Sequence, residues 1–243
     1  MCGQILMIEL NQKEDPIPEA KPSATLILVR DRPQGIECLL LRRNPTLKVM
    51  GGAWVFPGGK VDDTDAGGDD DARSVHTAIR ELREETGLHA AADQLLPFSR
   101  WLTPEIVKYR FDTRFFVLPY DREETPVVDG EEIVEYQWIA ADLALRLQDQ
   151  GELVVAPPTL VSLIDVADAG SVATLRQTMA KRAPPFFFPK IRAAGDDRVF
   201  LYPGDQGYES GNPALSDPCH RTLFREGRYS YRRSFDWPLK TGS

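Results

Sequence analysis

The chain has 243 residues, of which 42% are hydrophobic and 27% charged, and its net charge is −8 at pH 7. A chain of this length can bury a sizeable core, and this composition is ordinary for a soluble globular protein. The acidic balance argues against non-specific binding to nucleic acid or to an acidic membrane, since both attract basic proteins. A small anionic substrate remains possible, because a metal ion can supply positive charge locally.

Cysteine usage and hydropathy narrow the class further. Cys2, Cys38 and Cys219 have neither the spacing of a disulfide framework nor that of a zinc site. No run of about eighteen apolar residues is present, and the first residues lack the pattern of a signal peptide. We therefore expect a cytoplasmic protein without a membrane-spanning segment.

The first elements read as a leader followed by a hairpin. Residues 1–22 include a polar, proline-containing stretch and are interpreted as a leader. Residues 23–29 form a buried apolar run, residues 32–35 a turn with Pro33 and Gly35, and residues 37–42 a second strand. These strands lead through a glycine-containing segment to Trp54-Val55-Phe56.

The stretch from Phe56 to Leu88 carries the strongest signals. It opens with Phe56-Pro57-Gly58-Gly59-Lys60 and closes with Arg80-Glu81-Leu82-Arg83-Glu84-Glu85-Thr86-Gly87-Leu88. The closing segment predicts the end of a helix, because an apolar stripe recurs at helical spacing and Gly87 can adopt the positive φ of a helix stop. Glycine at positions 58 and 59 lets the backbone approach a ligand closely.

Three glutamates crowd one face of that helix. Glu81, Glu84 and Glu85 stand at i, i+3 and i+4, where like charges repel by roughly a few tenths of a kcal/mol per pair. A glutamate-rich helix face is ordinarily a solvated surface. Clustered carboxylates also suit hard cations such as Mg²⁺ or Mn²⁺, which would remove the repulsion. The glycine turn upstream favours the metal-binding interpretation.

The combination of this turn with the helix resembles the signature of the Nudix hydrolases. Residues 80–88 match the second half of the Nudix box at every specified position. The first half departs from it, since Gly59 lies twenty-one positions before Arg80, seven more than usual. The glutamate expected in that half has no clear counterpart, and Asp65 and Asp71 are the nearest candidates. The departure concerns loop geometry and substrate fit more than the metal-binding half.

The resemblance implies a role for each matching residue. Glu81, Glu84 and Glu85 would bind Mg²⁺ or Mn²⁺, and the backbone carbonyl of Gly59 would complete the ligands. Arg80 would orient the glutamates, being one turn from Glu84. The general base would be a helix glutamate such as Glu84, or a later acidic residue. Glu131, Glu132 and Glu135 compete for that later position, and Glu132 is preferred by its place before the strand ending in Trp138-Ile139.

Two further predicted strands, residues 98–104 and 110–118, bear on the substrate. Their sequence, together with the long glycine-to-helix insertion, resembles the Nudix branch that includes the peroxisomal coenzyme A diphosphatases, although the coenzyme A signature of that group is only partly present. Arg110 and Arg114 share strand parity, so both could reach a phosphate-binding pocket. Surface arginines without a ligand are the alternative.

The remaining chain predicts helices at residues 141–148, 158–166 and 172–181, followed by short strands rich in aromatic residues. The resemblance implies an α/β fold: a Nudix-type α/β/α sandwich with a mixed sheet, plus a C-terminal helical and short-β extension. We predict a core at residues 23–150 and an extension at 151–243 that packs on it. Aromatic residues of the extension could instead cap the active site or build a homodimer interface.

The expected activity is Mg²⁺-dependent hydrolysis of the pyrophosphate bond in a nucleoside diphosphate linked to another moiety, with coenzyme A or acyl-coenzyme A among the candidates. ADP-sugar or other nucleotide-sugar, dinucleotide polyphosphate and nucleoside triphosphate hydrolysis remain open. The alternative from another class is a non-catalytic nucleotide-binding Nudix module. A regulator of that kind would be expected to carry a DNA-binding domain, for which the sequence shows no helix-turn-helix or basic stripe.

Overall fold

Helices cover both faces of an eight-stranded mixed β-sheet in the computed structural model, which describes residues 16–237. The strands of this sheet are β1 (Lys21–Arg32), β2 (Gly35–Arg43), β3 (Trp54–Val55), β4 (Gly58–Lys60), β5 (Leu96–Leu102), β6 (Phe111–Pro119), β7 (Ile133–Ala140) and β8 (Phe186–Phe187). The order is β3-β2-β1-β6-β5-β8, while β4 pairs with β1 and β7 pairs with β2. This architecture confirms the predicted α/β/α sandwich with a mixed sheet.

Strand β1 lies at the centre because its apolar run is buried on both faces. Alternate residues point to opposite sides, so Leu26 and Leu28 join one core cluster while Ile27 and Val29 join the other. β1 pairs antiparallel with β2 and parallel with β6. The predicted hairpin of β1 and β2 is confirmed, with Arg32 opposite Gly35 at its turn.

Helix α1 (Asp70–Thr86) covers the first of these faces. The Asp69 carboxylate caps its N-terminus by accepting a hydrogen bond from the Ala72 N–H at 2.8 Å. Ala78 and Leu82 are fully buried against the sheet. The helix ends where predicted, because Gly87 adopts a φ of 70° and its N–H bonds the Arg83 carbonyl.

The opposite face carries α2 (Ala141–Gln150), α3 (Pro157–Ala169) and α4 (Val172–Lys181). A second sheet of four strands, in the order β12-β11-β10-β9, packs beside them. Its strands are β9 (Lys190–Ala194), β10 (Asp197–Leu201), β11 (His220–Arg225) and β12 (Arg228–Arg233). This is the predicted helical and short-β extension. The proposed boundaries at residues 22/23 and 150/151 stay a prediction, and residues 1–15 of the leader lie outside the described part of the chain.

Aromatic and charged side chains hold this extension on the core. Trp101 of β5 stacks on Phe187 of β8 with ring centroids 3.9 Å apart, and β8 itself extends the main sheet beside β5. The buried Asp165 carboxylate of α3 accepts hydrogen bonds from Arg182 at 3.1 Å, Arg233 at 3.3 Å and the Trp237 indole at 3.1 Å. One carboxylate of the helical layer thereby ties the end of α4 to the second sheet and the segment after it.

Within residues 16–237, no single helix combines the length and hydropathy needed to cross a membrane. The pair α3 and α4 meets the length and composition criteria only when the two are taken together, and it is bent by 109°.

Candidate active site

The glycine turn brings the main chain against helix α1. Gly58 and Gly59 lie in β4 and pair with Thr25 and Ala24 of β1, respectively. A Cβ on Gly58 would lie 2.4 Å from the Ala24 carbonyl oxygen, which is main chain and cannot move aside. A Cβ on Gly59 would lie 2.2 Å from Oε1 of Glu81. The absence of side chains here therefore leaves a narrow space between the backbone of β4 and a helix carboxylate.

Glu85 is the most deeply placed of the helix glutamates. It is 7% exposed, and its Oε2 accepts a hydrogen bond of 3.0 Å from the Gly58 N–H. Burial raises the pKa of its carboxyl to about 8, against the opposing effect of the Gly58 hydrogen bond, and the charges of Glu81 and Glu132 raise it further. A carboxylate in this setting gains most from a nearby cation.

Arg80 lies at the centre of the ion pairs around this face. Its Nη1 donates to Glu81 Oε1 at 2.9 Å and to Glu84 Oε2 at 3.0 Å, so the predicted pairing of Arg80 with Glu84 is present. Its Nε and Nη2 donate to the two oxygens of Asp65 at 2.9 and 3.1 Å. Nη2 also donates to the Lys60 carbonyl at 2.9 Å, which ties the arginine to the end of β4.

Of the two aspartates considered for the missing glutamate, Asp65 is the one that contacts Arg80. Its side chain is 4% exposed and also accepts hydrogen bonds from the Thr77 hydroxyl and the Asp62 N–H, each at 2.8 Å. The hydrogen bonds from Arg80 hold the pKa of Asp65 well below its usual range. Asp65 therefore stays ionised and fixes Arg80 from the side opposite the glutamates.

Glu132 precedes β7 and belongs to the same electrostatic neighbourhood. Its Oε1 pairs with Arg43 Nη1 at 2.9 Å, and its charge contributes to the raised pKa values of Glu81 and Glu85. The competing Glu135 lies on β7 and pairs with Arg42 at 3.1 Å. The exposed Glu131 shares with Glu132 a turn in which both backbone N–H groups donate to Asp129.

The two arginines proposed for substrate binding have different surroundings. Arg110 precedes β6 and donates to the backbone carbonyls of Pro18 at 2.7 Å and Thr103 at 3.2 Å. These bonds indicate a role in holding the chain before β1 against the start of β6. Arg114 lies within β6, and its guanidinium contacts the Asp71 carboxylate at the first turn of α1. Arg114 is therefore the better placed of the two for a ligand.

Among the described residues, no group of three or more Asp, Glu, His or Cys side chains is arranged so that it could hold a metal ion. Oxygens of Glu81 and Glu84 are instead occupied by Arg80. The chemistry of the donors nevertheless fits a hard cation, because carboxylates and a main-chain turn meet across the space left at Gly59. Burial raises the pKa of Glu81 as well, despite its contact with Arg80.

Two features of the site were not anticipated from the sequence. Arg43, one residue beyond the predicted second strand, pairs with Glu132 and opposes the rise in the pKa of Glu85. Asp71 contacts the candidate substrate arginine Arg114. Neither contact had a local signal, since each joins segments far apart in the chain.

Comparison with known proteins agrees with the fold. The family model of the NUDIX domain matches residues 20–156, more than half of the chain. A Caenorhabditis elegans protein described as "Putative nudix hydrolase 7" is 26% identical to this chain, over 75% of this chain and 73% of its own length. A crystal structure of a NUDIX hydrolase from Alicyclobacillus acidocaldarius superposes with a TM-score of 0.61 at 25% identity, covering 68% of this chain and 97% of that one. The chain therefore belongs to the NUDIX domain family and is a Nudix pyrophosphohydrolase.

Proposed function

We propose that this enzyme hydrolyses the pyrophosphate bond of a nucleoside diphosphate linked to a second group, with the reaction centred between β4 and the glutamates of α1. The observation that carries the proposal is the placement of Glu85. A buried carboxylate bonded to the N–H of Gly58 and adjacent to the Gly59–Glu81 contact is costly for the fold alone. Such a cost is ordinarily found at functional sites.

Nudix hydrolases generally use divalent ions such as Mg²⁺, and here Glu81, Glu84, Glu85 and the Gly59 carbonyl would hold them. When bound, a divalent ion would neutralise the charge of the diphosphate and lower the pKa of a water molecule bound to it, which makes that water a better nucleophile at neutral pH. Arg80 positions Glu81 and Glu84 through its Nη1, and is itself held by Asp65. Arg80 thereby fixes the positions of two of the proposed ligands.

A proton must leave the attacking water, and two groups are candidates to accept it. Glu84 is 57% exposed at its side chain and lies at the open edge of the helix face. Glu132 is 54% exposed, and Arg43 holds it through Oε1. Both can therefore be reached by a bound substrate and its water. We propose one of these two as the general base, with Glu132 preferred by its place before β7.

Coenzyme A or an acyl-coenzyme A is the substrate we propose to test first. The support is the resemblance of residues 101–104 and 110–116, with the long insertion before α1, to the coenzyme A diphosphatase branch. Arg114 is the proposed contact for a substrate phosphate, and Arg110 stays a weaker prediction. ADP-sugars, other nucleotide-sugars and dinucleotide polyphosphates are the alternatives.

A substrate panel tests the proposal directly. Coenzyme A, an acyl-coenzyme A, an ADP-sugar, a dinucleotide polyphosphate and a nucleoside triphosphate are incubated with Mg²⁺, and the products are identified by mass spectrometry. We expect cleavage within the diphosphate of one of the first four, with one oxygen from H₂¹⁸O incorporated into a phosphate of the products. Absence of turnover for every member of the panel would overturn the proposed substrate class.

A further inference from the structure

Arg114 shares one row of the sheet with the glycine turn. The register pairs Ala24 with Gly59 on one side and with Arg114 on the other, and Arg114 in turn with Arg100. Directly paired residues project from the same face, and Ala24 packs in the cluster beneath α1. At the usual strand spacing the backbones of Gly59 and Arg114 are roughly 10 Å apart. Arg114 therefore projects on the face of the sheet that also carries the helix glutamates.

The guanidinium of Arg114 already contacts a carboxylate of the protein itself. The carboxylate of Asp71, in the first turn of α1, accepts a hydrogen bond from Nε of Arg114. Asp69, Asp70, Asp71 and Arg114 together line an open depression at this end of the helix. The Arg114 side chain is 18% exposed, whereas that of Asp71 is 81% exposed. The Arg114 side chain is therefore mostly buried, while the Asp71 side chain is mostly exposed to solvent.

Asp71 can leave this contact without dismantling the helix. The N-terminal cap is supplied by the neighbouring Asp69, whose Oδ1 accepts from the Ala72 N–H. The nearby Arg100 cannot replace Arg114 as easily, because it is held by Asp112 on the paired strand, with its Nε 2.8 Å from Oδ1. Arg114 is therefore the cation of this pair that an incoming anion could capture.

We propose that Asp71 is a specificity determinant that competes with substrate for Arg114. Carboxylates and phosphates are both oxyanions that a guanidinium binds through the same N–H groups, so both cannot occupy Nε at once. A ligand gains the Nε donor of Arg114 only if it carries an anionic oxygen able to displace Asp71. The contact therefore lowers the affinity for every ligand that uses this donor, and it disfavours ligands that are neutral at this position. The inference rests on the proposed function only in taking the ligand to be a nucleoside diphosphate.

Equilibrium binding of α,β-methylene-ADP tests this competition without turnover, since its bridging carbon replaces the scissile oxygen. Its Kd is measured by calorimetry in Mg²⁺ for the wild type, Asp71→Asn, Arg114→Ala and the double variant. Asp63→Asn is the matched control, because it removes the same charge from the acidic stretch that leads into α1. The Asp63 side chain is fully exposed, 3.9 Å from Arg73.

We expect Asp71→Asn to tighten binding about two- to fivefold, the range for removing an exposed competing ion pair. Asp63→Asn should change Kd by less than half of that factor, and Arg114→Ala should weaken binding. In the Arg114→Ala background the effect of Asp71→Asn should vanish, which general charge removal or altered helix stability would not produce.

Equal effects of Asp71→Asn and Asp63→Asn would overturn the inference, as would a gain that persists without Arg114. Absence of binding in every variant, Asp71→Asn included, would also overturn it. Failure of the proposed function has a different signature. In that case the substrate panel shows no cleavage, while the Asp71-dependent change in Kd is still measured.

Discussion

The burial of His220 predicts a specific loss of stability in mild acid. His220 is 1% exposed and lies among aromatic rings, with Tyr202 and Trp237 at 5.1 and 5.3 Å between ring centroids. Its Nδ1–H donates to the Pro203 carbonyl at 2.6 Å, and its buried Nε2 has no hydrogen-bond partner among the described residues. Burial lowers the pKa of this imidazole from 6.5 to about 4.

The sign follows from proton linkage. Because the folded-state pKa is depressed, the unfolded chain binds more protons than the folded one between pH 6.5 and 4. The contribution of neutral His220 is complete above pH 6.5 and is lost as the pH falls through 4. At 1.36 kcal/mol per pKa unit, the fall of the pKa from 6.5 to about 4 amounts to about 3 kcal/mol of stability between pH 7 and 4.

Urea denaturation of the wild type, His220→Gln and His89→Gln at several pH values measures how much His220 contributes to the pH dependence of the free energy of unfolding. His89 is exposed, so its replacement serves as the control. We expect His220→Gln to be less stable than the wild type at pH 7, because the ring packing is lost. Its stability should fall by about 3 kcal/mol less than that of the wild type between pH 7 and 4. Parallel curves for wild type and His220→Gln would refute the reasoning.

Three further predictions concern the site and the extension. Glu85→Gln should lower kcat by several orders of magnitude with the fold retained by circular dichroism, because a ligand for the metal is lost; near wild-type turnover would contradict this. EDTA should abolish hydrolysis and excess Mg²⁺ or Mn²⁺ should restore it, whereas metal-independent turnover would count against the site. Asp165→Ala should lower the free energy of unfolding by about 3–5 kcal/mol, since Arg182 is left buried and unpaired. An exposed control, Asp236→Ala, should change it by less than about 0.5 kcal/mol.

Local sequence signals were sufficient for strand β1 and for the end of helix α1. The apolar run of β1 and the stop at Gly87 depend on residues close together in the chain, and both were located correctly. The three glutamates could be assigned to one helix face for the same reason, since helical periodicity alone fixes their spacing. The burial of Glu85 was not predictable, because it depends on where β4 lies against the helix.

Long-range contacts account for what was missed. The aromatic pattern at Phe186-Phe187 predicts a short strand of the extension, whereas in the structure these residues pair with β5 at the edge of the main sheet. The register of such a pairing is set by packing, here by the stack of Phe187 on Trp101, and no local pattern encodes it. The choice between Asp65 and Asp71 was open for a related reason. Both lie in or beside the insertion, and only the folded loop brings Asp65 to Arg80.

The assignment of the α1 glutamates is tested most directly by the turnover of the substrate that the panel identifies. Turnover is compared between the wild type, Glu84→Gln and Glu209→Gln in saturating Mg²⁺. The Glu84 side chain is 57% exposed, so its replacement should leave the fold intact, and Glu209 of the extension, with its side chain 89% exposed, is the matched control. We predict a loss of kcat of several orders of magnitude for Glu84→Gln and none for Glu209→Gln. Equal turnover of all three proteins would contradict a catalytic metal site on α1.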